Sequence, residues 1–237
     1  MGGGDALVFL EIYGEWSGAQ TEVSLARHNS AGLPSELSAQ LLPNNAADWD
    51  GPLAQLARQS NPQAWQSALD APQKLVIRGE ISDPASLDYL RDTIGVVAAS
   101  LESGGRVVFD PQMLSVFDAT EWSEQFFSDG FEPTKHTVIL VTPQDDGRTW
   151  LHTRGMRAFG RPDLSCRDVQ AGELEGLQAI FNGLMRMMAA GAMIPDGQPV
   201  RAADSEEILR CFNRGSLDDD EFNNRHLALE WENERSQ

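Results

Sequence analysis

The segment from Lys74 to Asp110 constrains the fold more than any other part of the chain. KLVIRG at 74–79 is typical of a buried strand, and RVVFD at 106–110 is typical of the next strand. Between them lies a stripe of apolar residues spaced three and four apart, which predicts a helix with one buried face: Leu87, Leu90, Ile94, Val97 and Leu101. The segment therefore predicts a strand–helix–strand unit, with a right-handed crossover if its two strands lie parallel in one sheet.

The ends of this helix are also predicted from residue type. Asp83 is a residue that caps helix N-termini, and Pro84 fits the first helical position, where no N–H is needed. Gly104 and Gly105 predict a left-handed stop at the other end. We therefore expect the helix to begin directly after Asp83 and to end before Gly104.

The same periodicities predict further elements on both sides of this segment. Strand patterns, including two hairpins, occupy 6–14 and 21–28, 136–142 and 148–156 around PQDDG, 164–169 and 226–231. Helix patterns occupy 52–59, 63–70, 121–127, 173–189 and 205–212. This order predicts an α+β (or α/β) protein in which a mixed β-sheet is packed by helices. We expect one compact domain over 1–237, with two similar halves at 1–110 and 135–237 as the alternative.

The charge balance limits the partners that the chain can bind. It has 18 Lys and Arg against 36 Asp and Glu, a formal net charge of −18. Such a field repels nucleic acid phosphates and anionic membrane surfaces, so we expect neither as a partner. A surplus of acid is typical of a surface that keeps a protein soluble, and the alternative is a surface for a basic protein partner.

Cysteine and histidine spacing predicts neither a metal site nor a disulfide. Cys166 and Cys211 lie far apart, and the four histidines form no pair at ligand spacing. The N-terminal segment lacks the basic start of a signal peptide, and 184–194 is too short to span a bilayer. No phosphate-binding glycine loop or nucleophile elbow is present. We therefore expect a cytoplasmic protein with reduced cysteines, no metal and no cofactor.

The segment WLHTRGMRAFGRPD at 150–163 concentrates basic residues in this acidic chain. Strand alternation places His152 on one face with Arg148, Trp150 and Arg154, among polar neighbours. Arginines around a glycine turn suit an anion, because a guanidinium binds two oxygens at once. The candidate ligand-binding residues are His152, Arg154, Arg157, Arg161 and Asp163. The alternative is that the glycines and Pro162 only shape a turn while the arginines pair with local acids.

The same segment resembles a bacterial family catalogued only as a domain of unknown function. The resemblance rests on the pattern Trp-x-His-Thr-x-Gly-Met-x-x-Phe-Gly-x-Pro-Asp-Leu at 150–164 and on GAMIPDGQPV at 191–200. It extends over about residues 74–212. The chain departs from the family pattern at Met156, Asp163, Gln198 and Pro199. The resemblance implies no activity; related small α/β families include immunity proteins, which neutralise toxins in bacterial competition.

A second candidate surface lies in LDDDEFNNRH at 217–226. Its acids are the candidate partner-binding residues Asp218, Asp219, Asp220 and Glu221. The loop lacks the glycine and the final glutamate of a calcium-binding EF-hand, so the alternatives are a solvated loop and an acidic contact surface. Further acids lie nearby in 204–207 and 230–234.

We therefore expect a protein-interaction or immunity-like binding protein. The alternative is an enzyme or a small-anion sensor that uses His152 with Arg154, Arg157 and Arg161. Cys166 is interpreted as a core residue of a strand rather than a nucleophile, because free cysteine usually behaves as a small hydrophobic side chain. The sequence indicates no oligomeric state.

Overall fold

The fold is seen in a computed structural model that describes residues 4–17, 22–45, 52–144, 147–201, 208–219 and 221–232. The chain divides into two compact units, each with its own sheet. We call Asp5–Lys135 the N-terminal unit and His136–Gln237, with Met1–Gly4, the C-terminal unit. Both units combine strands with helices, so the predicted α+β class is confirmed.

The N-terminal unit contains a five-stranded antiparallel sheet in the order β2-β3-β1-β4-β5. Its strands are β1 (Ala6–Gly14), β2 (Leu37–Pro43), β3 (Gln73–Ile81), β4 (Gly105–Asp110) and β5 (Ser115–Asp118). Its helices are α1 (Leu25–His28), α2 (Pro52–Ser60), α3 (Pro62–Asp70), α4 (Asp88–Glu102) and α5 (Ala119–Trp122), and α5 continues into a π-helical turn at Ser123–Ser128. Because β3 and β4 both run antiparallel to β1, they are parallel to each other, with β1 between them.

Two apolar layers form the core of this unit. The predicted stripe of α4 is confirmed, since Leu90, Ile94, Val97 and Leu101 are buried. Helix α3 contributes Trp65 to a cluster that includes Tyr13 of β1 and Phe109 of β4. Side chains alternate between the faces of a strand, so helices pack on both faces of the sheet around β1 and β4.

The C-terminal unit contains a six-stranded mixed sheet in the order β6-β7-β8-β11-β10-β9. Its strands are β6 (Val138–Pro143), β7 (Thr149–Arg154), β8 (Asp163–Val169), β9 (Gln198–Val200), β10 (Leu209–Arg214) and β11 (His226–Trp231). The single long helix among the described residues of this unit is α6 (Leu174–Ala189), which buries Leu177, Phe181, Leu184 and Met188. The predicted β6–β7 hairpin, β8, α6 and β11 are confirmed.

Three local predictions are wrong. The expected strand at 21–28 is a short helix at Leu25–His28, because the buried His28 ring accepts a hydrogen bond from Ser24 N and bonds to Glu102 of α4. The expected helix start at Asp83 fails because Asp83 has a φ of 35°, outside the extended conformation of an N-cap, and α4 begins at Asp88. The expected helix at 205–212 is strand β10 from Leu209 onward, and 205–207 lie outside the described residues.

Strand β10 shows why that helix prediction failed. Leu209 and Cys211 are buried while Arg210 and Phe212 are less so, which is the period of two expected for a strand. Pairing with β11 on one side and β9 on the other provides hydrogen-bond partners for its backbone.

Among the residues that the structure describes, no helix has the length and apolar character that a membrane span requires.

Candidate functional site

The basic segment forms strand β7, a tight turn and the start of β8. A 3₁₀ turn at Met156–Phe159 lies between Gly155 and Gly160, whose φ angles of 112° and 63° favour glycine. A Cβ atom at position 155 would lie 2.4 Å from the carbonyl oxygen of His136, so this position also requires glycine for space. Both glycines therefore have a conformational role in the turn.

Asp163, the first residue of β8, connects this turn to the acidic segment of the chain. Its side chain is buried and accepts hydrogen bonds from Thr153 Oγ1 at 2.9 Å, Met156 N at 3.3 Å and Asn224 Nδ2 at 2.8 Å. Burial raises the pKa of Asp163 to about 6, while the bonds from Asn224, Thr153 and Met156 and the charge of Arg154 act in the opposite direction. The Asp163 carboxylate is therefore buried and joins the turn to Asn224; it is not exposed to bind a ligand.

The residues from Gly215 to Arg225, here called the acidic loop, are held by the arginines of the basic segment. Arg154 Nη1 donates to the carbonyl oxygen of Glu221, and Arg157 Nη1 donates to that of Asn223 at 2.9 Å. Both guanidinium groups therefore donate hydrogen bonds to backbone carbonyl oxygens of the loop. The two regions that the sequence presents as separate candidates form one structure.

Arg161 points elsewhere. Its side chain is buried, with Nε donating to the carbonyl oxygen of Met188 at the end of α6 and Nη1 donating to that of Gly160. Its own carbonyl oxygen accepts a hydrogen bond from Asn224 Nδ2 at 2.9 Å. Of the three candidate arginines, two reach the acidic loop and one anchors the turn to the helix.

Arg167 is a further contact of the acidic loop that was not among the candidates. Its Nη2 lies 2.9 Å and 2.7 Å from the two carboxylate oxygens of Glu221. The guanidinium carbon also lies 4.2 Å from the centre of the Trp150 ring, a cation–π arrangement. The loop is thus held at Glu221 through both its backbone and its side chain.

Aromatic rings pack together beside these charged side chains. Trp150 and His152 stack with ring centres 3.8 Å apart, and Phe222 of the acidic loop meets both edge-on. Phe222 also stacks on His226, with ring centres 4.3 Å apart. The acidic loop therefore gives His152 an aromatic neighbour in addition to the charged side chains of Arg154 and Arg167 that also act on it.

Burial determines the protonation of the two histidines. It lowers the pKa of His152 to about 4, and the cations of Arg154 and Arg167 act in the same direction. Burial also lowers the pKa of His226, although Asp219 opposes this shift. His152 is therefore a neutral, apolar-stacked ring at neutral pH.

The candidate acids of the loop fall into different environments. Asp218 is exposed, and the Glu221 side chain is 53% exposed. Asp219 turns inward: its carboxylate accepts hydrogen bonds from the backbone N–H groups of Glu221 and Phe222 and lies 3.7 Å from His226. Asp220 lies outside the described residues. Asp218 therefore faces solvent, whereas the partly exposed Glu221 carboxylate is paired with Arg167.

The acids beyond the loop are partly paired. Glu230 lies 3.1 Å from Arg214, and Glu232 forms an ion pair with Arg210. The remaining acids considered in this region lie outside the described residues: Asp204, Glu206, Glu207 and Glu234.

Nucleophilic and metal chemistry has little support in this arrangement. Cys166 and Cys211 are free and buried, and burial raises the pKa of Cys211 to about 11. The Cys211 thiol is therefore protonated at neutral pH, and burial shields both thiols from reagents. Within the described ranges, no three His, Cys, Asp or Glu side chains are grouped to hold a metal ion.

Phe222 and Asn224, like Arg167, are contacts that sequence reasoning missed. An aromatic residue and an asparagine inside an otherwise acidic loop are the signal that could have indicated buried side chains.

The chain matches no known family model, no curated protein and no solved structure.

Proposed function

We propose that the chain is a protein-interaction protein that presents the acidic loop to a basic protein partner. The observation that carries this proposal is the set of hydrogen bonds that holds Glu221, Asn223 and Asn224 of the loop. Arg154 and Arg157 bind two of its carbonyls, and Asn224 is bound to the buried Asp163. A loop held in one conformation loses less entropy when a partner binds, so its exposed carboxylates are available without reordering.

The charge of the whole chain supports the same partner chemistry. A formal charge of −18 attracts a basic protein and steers its approach. Asp218 and Glu221 lie on the solvent side of the loop, whereas Asp219 faces inward. Recognition by a surface of one sign acts mainly on the association rate. An immunity protein that neutralises a basic toxin is one class of partner-binding protein with these properties, proposed here by analogy.

The alternative of an enzyme or a small-anion sensor has weaker support. Arg154 and Arg157 each donate through Nη1 to a carbonyl oxygen of the loop, and Arg161 is buried against the end of α6, so the three guanidinium groups do not converge on one ligand. The remaining support is that His152 Nδ1 and Arg154 Nε have no hydrogen-bond partner among the described residues. The stacked Trp150 and Phe222 rings nevertheless surround that imidazole with apolar surface.

The test is affinity capture at low salt from the native host, followed by measurement of binding rates with the captured protein. Asp218→Lys reverses an exposed charge of the loop, and Glu124→Lys makes the same charge change at an exposed position of the N-terminal unit. We expect Asp218→Lys to slow association more than it speeds dissociation, while Glu124→Lys has a smaller effect. Equal association rates for the two variants would contradict the proposed surface.

A further inference from the structure

The outer strand β2 of the N-terminal sheet lacks the features that normally protect a sheet edge. It pairs with β3 in one unbroken register from Leu37↔Gly79 to Pro43↔Gln73, without a bulge. No charged residue occurs from Leu37 to Asn45. Natural edges are usually short, charged, bulged, interrupted by proline or covered, because exposed N–H and C=O groups otherwise pair with another chain. Among the described residues, Pro43 protects one end of the strand, and the hydrogen bond from Leu37 N to the carbonyl oxygen of Pro34 protects the other.

The side chains of β2 are exposed as well. All of its residues after Leu37 are exposed, including Leu41 at 47% and Leu42 at 39%. Adjacent residues of a strand point to opposite faces, so both faces of the sheet are open at this end. Ala39 pairs with the fully buried Ile77, so the exposed Ala39 and Leu41 continue the apolar face of β3 beyond the buried Leu37.

The opposite edge of the same sheet is protected. Strand β5 has four residues, and the backbone N–H of Val116 donates to Ser60 Oγ of α2 at 3.1 Å. Its last residue, Asp118, is charged and caps α5. In the C-terminal unit, the outer strand β6 is also uncharged, but Val138, Ile139 and Leu140 are half-buried. The unprotected character of β2 is therefore a local property of this strand.

We propose that β2 pairs antiparallel with β2 of a second copy of the chain across a two-fold axis, so that two five-stranded sheets become continuous. An isologous contact uses the same surface on both copies and makes every backbone hydrogen bond twice. A centre at Gln40, the middle residue of β2, places Ala39 opposite Leu41 of the second copy and the two Gln40 side chains opposite each other. Leu41 then gains an apolar contact with Ala39 of the second copy on one face, and Leu42 lies opposite Ser38 of the second copy on the other.

A second copy is the proposed occupant because the uncharged strand is the place where two acidic chains repel each other least. Two chains of charge −18 repel each other over most of their surfaces. The uncharged run from Leu37 to Asn45 is a place where two copies meet without placing carboxylates directly opposite each other. A basic partner would instead be drawn to the acidic loop, where carboxylates are exposed. Self-pairing at β2 and capture of a basic protein are therefore separate properties with opposite responses to salt.

Sedimentation equilibrium of the full chain from low to several hundred micromolar tests the pairing, in the range expected for a small interface. We expect a monomer–dimer equilibrium that tightens as salt rises, because salt screens the repulsion between copies. Leu41→Lys should abolish the dimer. Its added positive charge lowers the overall repulsion, so this loss would arise at the strand itself. Leu56→Lys, at a residue of α2 that is 44% exposed, is the matched control and should dimerise like the parent chain.

A cross-linking experiment tests the register independently of the stability of Leu41→Lys. Directly opposite residues of antiparallel strands lie about 4.5–5.5 Å apart at Cα, a separation that a disulfide spans. Gln40→Cys should therefore oxidise to a covalent dimer, while the buried native thiols do not react. Gln55→Cys, exposed on α2, is the control for random collision. A monomer at every concentration, a Leu41→Lys dimer as strong as the parent, or equal cross-linking of both cysteine variants would overturn the proposal.

Discussion

Replacing Asn224 by alanine should destabilise the C-terminal unit by an amount that depends on pH. The Asn224 side chain is buried, and its Nδ2 donates to the carbonyl oxygen of Arg161 at 2.9 Å and to Asp163 Oδ2 at 2.8 Å. The first bond joins two neutral groups and is worth about 1 kcal/mol, whereas a bond to an ionised carboxylate is worth about 1.5–3 kcal/mol. We therefore expect Asn224→Ala to lower the free energy of unfolding by about 3 kcal/mol at pH values above 7.

The pH dependence follows from the raised pKa of Asp163. This pKa is about 6 in the folded chain against 3.8 for the free side chain, so the folded state holds the proton more tightly. The contribution of Asp163 to stability therefore falls as pH rises from about 4 to about 6. Removing the Asn224 bond, which favours the ionised form, raises the folded pKa further and extends this fall to higher pH. At about pH 5, where Asp163 is largely protonated, the variant should lose only about 2 kcal/mol.

The measurement is urea unfolding followed by circular dichroism at about pH 5 and about pH 7.5, on either side of the Asp163 titration. Asn44→Ala is the matched control, because Asn44 Nδ2 also donates two hydrogen bonds, at 2.8 Å each, to the backbone carbonyls of Ala68 and Ala71. Neither acceptor titrates, so its cost should be the same at both pH values. An Asn224→Ala cost that does not change with pH, or one that changes as much as that of Asn44→Ala, would refute the reasoning.

Three further predictions test other parts of the C-terminal unit. Thiol titration of the unfolded, unreduced chain should detect both Cys166 and Cys211, and the folded chain should react slowly because both are buried; fewer than two thiols would contradict the reduced state. Phosphate and citrate should leave the melting temperature unchanged, because Arg154 and Arg157 already bind carbonyls; a rise that is lost in the Arg154→Ala, Arg157→Ala double variant would instead support an anion site. The contribution of His152 to stability should fall as pH decreases from about 6.5 to about 4, opposite to the contribution of Asp163, because unfolding frees His152 to bind a proton; it is measured as the difference in stability between the parent chain and His152→Phe, which keeps a stacked ring, and a difference that does not change with pH would count against the assigned shift.

Elements with strong local periodicity were predictable from the sequence, and those chosen by tertiary pairing were not. Helix α6 and the β6–β7 hairpin follow from a repeated apolar spacing and from a turn between two alternating segments. The residues of β10 fit a helix almost as well as a strand, and the flanking strands β9 and β11 decide the outcome. Asp83 likewise satisfies a composition rule for helix caps, but its positive φ excludes that role.

The candidate site shows the same limit at longer range. The sequence predicts two separate groups, a basic turn and an acidic loop, because each group is contiguous in sequence. Arg157 and Asn223 are nevertheless hydrogen-bonded across a separation of 66 residues. Charge patterns predict that arginines and carboxylates attract, but they do not predict that two of these arginines bind backbone carbonyls. Only the path of the loop determines which acceptors lie within reach.

Parallel pairing of β8 with β11 brings the two groups together. The register aligns Asp163 with His226, and Asp163 N donates to the carbonyl oxygen of Arg225 at 2.9 Å. The end of the acidic loop therefore lies beside the start of β8, where the turn also ends. The strands of a parallel pair are joined by a long crossover and not by a hairpin turn, so no turn motif in the sequence predicts their pairing. Gly155, Gly160 and Asp163 therefore help to position a loop that lies more than fifty residues further along the chain. A substitution in the turn should therefore shift the position of the loop, and it would alter the proposed partner binding without the turn touching the partner.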